Sequence, residues 1–170
     1  MGKSFIRISV LFVLLIFLQI WLFNKIHLFG IATPLLYIYF LIKLPVTMNR
    51  NIVLLLSALM GFILDLFDYS LGLNMLALVF TGFLRYYVLN FLAPRDIFEE
   101  YSPSFSTFGR FLFIRYAATL ILIHAAILLT VDTLAFIDPL RLLLKIVSSS
   151  LLTFLLVVTF ESIDFDIVKR

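Results

Sequence analysis

The stretch GFILDLFDYSLGLN, residues 61–74, sets two aspartates, Asp65 and Asp68, inside a run otherwise fit for the interior of a lipid bilayer. Either the membrane ends there or the charges are buried for a purpose. The composition around the stretch decides its setting. Of 170 residues, 64% are hydrophobic and only 14% charged, with a mean hydropathy of +1.17. Soluble domains carry about 45–50% apolar and about 25% charged residues. A soluble fold of this size could not hide so much apolar surface, so lipid must be the solvent for most of it. The chain is therefore expected to be an all-α integral membrane protein. Twenty phenylalanines against one tryptophan favour bulky lipid-facing and interhelical packing over a strong aromatic belt. The absence of cysteine excludes a disulfide framework and a thiol-ligated metal, and a net charge of +3 is too small to argue for nucleic acid.

A membrane span needs about 20 mostly apolar residues. Working outward from the quoted stretch, six transmembrane helices are expected, over residues 5–23, 31–44, 51–67, 73–92, 111–131 and 140–160, in one transmembrane domain covering 1–170. The second is short and closed by Pro45; the fourth is stopped by Pro94. The longest connection, residues 93–110, is polar and aromatic, and a short interfacial helix is expected near Asp96–Tyr101. The first apolar run is too long for a signal-peptide core and ends without a small-x-small site, which reads as a retained anchor. The start MGKSFI lacks the Ser or Thr at residue 6 that myristoylation wants.

Orientation follows from lysine and arginine placement. With the N-terminus inside, that side collects Lys3, Arg7, Lys43, Arg50, Arg85, Arg95, Arg110, Arg115, Lys169 and Arg170, leaving only Lys25, Arg141 and Lys145 outside. Both termini are expected in the cytoplasm, with short outer loops. No extramembrane module and no internal repeat is visible, so function must lie in the helices, and an inverted-repeat transporter is disfavoured.

Counting from Asn51 at about 1.5 Å per residue, Asp65 and Asp68 lie roughly 21 and 25 Å along the third span. That depth approaches the outer edge of a hydrocarbon slab about 30 Å thick. Their i, i+3 spacing puts both carboxylates on one face. Asp68 reads as wet. Asp65, one turn deeper, either meets interfacial water or turns toward a neighbouring or partner helix, as ionisable groups at such depth usually do. Gly61, four residues before it, permits close packing on the same face; Gly72 allows a tight turn, and Asn74 can satisfy freed backbone groups.

The pattern Gly61-x-x-x-Asp65, a short turn, Gly72-Leu73-Asn74 and an aliphatic helix resembles the rod shape-determining protein MreD family. The likeness covers most of the chain as hydropathy and residues 58–86 as a residue pattern; the additional Asp68 and the phenylalanine content depart from it. It implies a bundle like the S components of energy-coupling-factor transporters and a multi-pass protein of the bacterial inner (cytoplasmic) membrane. It further implies a non-catalytic scaffold of the cell-elongation (rod) machinery. The implied partner is a single-span MreC-like protein. Through it come a RodA-like glycosyltransferase, a class B penicillin-binding transpeptidase and MreB, the enzymes of peptidoglycan synthesis and the filament that maintain cell shape. Gly61, Asp65 and Gly72 are the positions the resemblance carries over, as a polar anchor for structure or partner.

Other polar positions bear on rival functions. Mid-span His124 is expected to hydrogen-bond a neighbouring helix; His27, the other histidine, lies in a loop, so neither a metal site nor a cofactor is expected. Arg85 and Arg115 either snorkel or pair with Glu161, Glu99 or Glu100 near the inner helix ends. Ser57 with Ala58 and Gly61, HAA at 124–126 and SSSLLT at 148–153 supply small residues for close approach. No phosphate loop, zinc motif or nucleophile set is visible, so an enzyme is not expected. The alternative function is a vitamin-type binding S component, with Asp65, Asp68, Asn74 and Asn24 lining its cavity. The first span lacks the small-residue pattern such proteins use against their ATPase. A proton-coupled carrier would need paired mid-membrane titratable groups, for which the sequence offers His124 and little else.

Overall fold

The computed structural model describes residues 2–23, 32–70, 72–92, 102–133 and 138–169, with side chains described from Ile6 to Ile163. The described chain is all-helical: α1 (Gly2–Trp21), α2 (Ile38–Lys43), α3 (Arg50–Asp68), α4 (Leu73–Leu92), α5 (Arg110–Asp132) and α6 (Pro139–Lys169). Asn24, Lys25, His27, Arg95, Glu99, Glu100 and the expected interfacial helix near Asp96–Tyr101 lie outside the described residues.

Four of these helices are long and apolar enough to cross a membrane: α3, α4, α5, and α6 over Pro139–Ile163. The described apolar part of α1, Ile6–Trp21, is shorter. Helices α3 to α6 pack as successive neighbours, and α1 lies against α3 and α2. The bundle thus has one end bearing Asp68, Leu73, Asp132 and Pro139, and an opposite end bearing Arg50, Leu92 and Arg110. Broad apolar faces point away from it, for example Val13, Phe17 and Trp21 on α1 and Leu143, Val147 and Leu151 on α6. Burying one stripe and exposing an equally apolar one suits helices surrounded by lipid. Local chemistry sets the ends: Asn49 caps α3 by accepting from the Asn51 amide, and α3 stops at Tyr69 in the left-handed conformation. Gly109 (φ 75°) introduces α5. Helix α6 runs past the expected Phe160, because nothing in ESIDFDIVK breaks a helix.

The second span differs most from expectation. Instead of a helix over 31–44, the structure has an extended stretch, a turn and the six-residue α2, which rises only about 9 Å. Leu35 to Ile42 are at most 4% exposed, so this segment is the centre of the bundle and faces no lipid. Irregular backbone is tolerated at membrane depth only where protein satisfies it, and here three side chains do so. Gln19 of α1 donates to the Pro34 carbonyl and accepts from the Leu36 amide (2.9 and 3.1 Å). From α6, Ser149 accepts from the Thr33 amide at 3.1 Å and Thr153 from the Leu35 amide at 2.9 Å. Part of the SSSLLT run, expected to serve close packing, thus serves as hydrogen-bond acceptors.

Candidate functional site

Residues 61–74 fold into the α3–α4 hairpin, the most closely packed helix pair. A Cβ on Gly61 would lie 2.3 Å from the Met75 Cα and 2.6 Å from its nitrogen, so the two backbones touch where only glycine fits. Gly72 faces open space; its requirement is the positive φ of 83° in the turn. A second close approach, not singled out from sequence, brings Gly82 against the Ser57 hydroxyl, 2.8 Å from where a Cβ would sit.

The close approach delivers Asp65 to the start of α4. At 5% exposure, its carboxylate accepts from the backbone amides of Asn74 and Met75 (2.9 Å each), from Asn74 Nδ2 (3.0 Å) and from the Ser70 hydroxyl. The first amides of a helix have no partner within it, and a negative charge there also meets the positive end of the helix dipole. Asp65 is therefore an N-cap supplied by the preceding helix. Of the destinations expected for it, interfacial water, a neighbouring helix or a partner's helix, it takes the neighbouring helix of its own chain, so its role is that of a structural anchor. Asp68 is exposed and accepts from Asn74 Nδ2 at 3.3 Å.

Asn74 carries the cluster inward. Its Oδ1 accepts from the Tyr37 hydroxyl at 2.9 Å; that hydroxyl is 2.9 Å from His124 Nε2, and His124 Nδ1 is 3.2 Å from Thr81 Oγ1. Tyr37, His124 and Thr81 are at most 2% exposed. The expected bond from His124 to a neighbouring helix is thus made to Thr81 of α4, and a second to Tyr37. Tyr37 escaped the sequence reading because an aromatic residue in an apolar run carries no mark of polar duty. Asp65, Asp68 and Asn74, expected to line a cavity in the vitamin-binding reading, are engaged with one another.

Neither Arg85 nor Arg115 takes the pairing with Glu161 that is the alternative to snorkelling. Buried Arg85 donates to the Tyr116 hydroxyl (2.9 Å) and to the carbonyls of Leu44 and Pro45, holding the C-terminal end of α2. Arg115 is exposed, over the Phe111 ring. Glu161 pairs with Lys43 at 2.9 Å, and also accepts from the Tyr39 hydroxyl and the Phe105 amide. The reason is geometric: α2 occupies the middle of the bundle and presents Lys43 to α6. Glu161→Leu should destabilise the protein by roughly 3 kcal/mol, and adding Lys43→Met should recover part of that, since one buried charge alone costs more than none. Thermal unfolding in detergent checks the ordering.

No protein-family model, curated protein or solved structure matches this chain. Among the described residues no group of three or more His, Cys, Asp or Glu side chains could hold a metal ion. What the assembled groups do chemically is fix helices to one another.

Proposed function

We propose that this chain is a non-catalytic scaffold of the bacterial inner membrane, of the rod shape-determining kind. It docks a single-span MreC-like protein and thereby positions the RodA-like glycosyltransferase, the class B penicillin-binding transpeptidase and MreB. The observation that supports this most is that the residues carrying the resemblance, Gly61, Asp65, Gly72 and Asn74, form one packed unit at the α3–α4 hairpin. With Asp65 committed to α4, a partner docks on the far face of the hairpin. There α3 presents Ile52, Leu55, Leu59, Phe62 and Leu66, each 48% or more exposed. Their alternating spacing of three and four is the register in which helices pack knobs into holes, and the capped hairpin keeps that face rigid, which lowers the cost of binding.

A photoreactive amino acid at Leu59 or Phe62 should crosslink to a single-span protein co-expressed from the same locus, and depletion should round rod-shaped cells. Capture of an ATPase module alone, or unchanged rods, would reject the scaffold reading.

A further inference from the structure

Four hydrogen-bond links run in series through the interior: Asn74 Oδ1 to the Tyr37 hydroxyl (2.9 Å), Tyr37 to His124 Nε2 (2.9 Å), His124 Nδ1 to Thr81 Oγ1 (3.2 Å), and Thr81 to the Ala77 carbonyl (2.6 Å). Both ends are acceptors only. The Ala77 end is a carbonyl. At the other end Asn74 turns its amide nitrogen to Asp65 and Asp68, which leaves Oδ1 facing Tyr37. Each link needs one hydrogen. The Tyr37 hydroxyl, a neutral His124 ring and the Thr81 hydroxyl bring one apiece, so a neutral chain has three hydrogens for four links. However they are arranged, one link sets lone pair against lone pair in a water-poor interior, where an unmade bond is costly.

The distances say where the missing hydrogen belongs. Thr81 makes its shortest bond to Ala77, so its hydrogen is spent there and His124 Nδ1 must supply its own. Tyr37 donates to Asn74, so His124 Nε2 must supply its own as well. We propose that the Thr81–His124–Tyr37–Asn74 chain is a buried proton-binding site, complete when the His124 ring carries both hydrogens. The proton adds to a ring nitrogen and breaks no bond. All four links then run in one sense outward from the imidazolium.

Burying that charge is costly unless it is compensated. On the α3 side Asp65 and Asp68 stand one residue beyond the chain, through Asn74, and favour a cation. On α4, Arg85 is directed elsewhere, to Tyr116 of α5 and the end of α2. On α6, Glu161 is engaged by Lys43, and exposed Arg141 by Asp138; Lys145 lies half-buried on the same helix. Losing the proton opens one link, so occupancy governs how firmly the Tyr37 segment is tied to α4 and α5.

The test uses the 170-residue chain with His27→Gln, leaving His124 as its one histidine, labelled with 15N-histidine in lipid nanodiscs. At about pH 6, near the ordinary histidine range, both ring nitrogens should give protonated signals. Thr81→Val and Tyr37→Phe should each return a neutral ring at the same pH, while Thr81→Ser, which keeps the hydroxyl, should restore the doubly protonated one. Backbone amide spectra away from the site verify that each variant folds. A neutral ring in the parent, or doubly protonated rings in the valine and phenylalanine variants, would overturn the proposal.

Discussion

Gly61→Ala is expected to destabilise the protein by about 3 kcal/mol or more, and Gly61→Leu to prevent the α3–α4 hairpin from closing. Overpacking a well-filled interior costs typically about 1–3 kcal/mol, because side chains can shift to absorb the intruder. Here the intruding methyl would meet the backbone of Met75 at 2.3 and 2.6 Å and the carbonyl carbon of Asn74 at 2.9 Å, none of which can rotate away. The helices must separate, and separation also draws the Asp65 carboxylate off the start of α4. Gly82→Ala provides the contrast. Its methyl would press chiefly on the Ser57 hydroxyl, a side-chain group able to turn, so the loss should be smaller. Reversible unfolding in mixed micelles orders the variants. A Gly61→Ala protein as stable as the parent would mean that the helices do not approach as described.

Asp65→Ala is expected to have an effect of similar size. It removes the acceptor of four hydrogen bonds at a site 5% exposed. Each buried donor left without a partner costs about 1–3 kcal/mol, and partial relaxation brings the expected total to roughly 3–5 kcal/mol. Asp65→Asn should recover little, since its amide nitrogen would face other donors. Asp68→Asn should change stability by less than about 1 kcal/mol, in keeping with an exposed carboxylate. Hydrogen exchange separates a cap from a general loss of stability. In Asp65→Ala the amides of Asn74 and Met75 should lose protection while those in the middle of α5 keep theirs. Unchanged exchange at 74 and 75 would refute the cap.

The same two variants mark how far the sequence could be read. Helices α3, α4 and α5 begin and end within a residue of where the apolar runs and their caps place them, because those signals are local. Glycine and aspartate four apart gave the face that packs, for the same reason. Helix α2 was illegible in kind: an apolar run looks alike whether lipid or protein surrounds it, and only the fold shows that residues 35–42 see no lipid at all. The partners of Glu161, Arg85 and Gln19 were hidden by distance along the chain. Lys43 lies 118 residues from Glu161, and nothing in one stretch announces the other. His124 has no titratable neighbour in sequence to name its partner, and folding puts Tyr37, 87 residues away, against its ring.

The extended stretch before α2 constrains the order in which the protein is made. The amides of Thr33 and Leu35 find their acceptors on Ser149 and Thr153, more than a hundred residues later in synthesis. Until α6 emerges, those two amides lack the acceptors the finished protein gives them, and only Gln19 of α1 holds the adjoining Pro34 carbonyl and Leu36 amide. The heart of the molecule is consequently the last part to be sealed. A ribosome-bound intermediate lacking α6 should leave residues 33–36 open to water-soluble labels that the finished protein excludes.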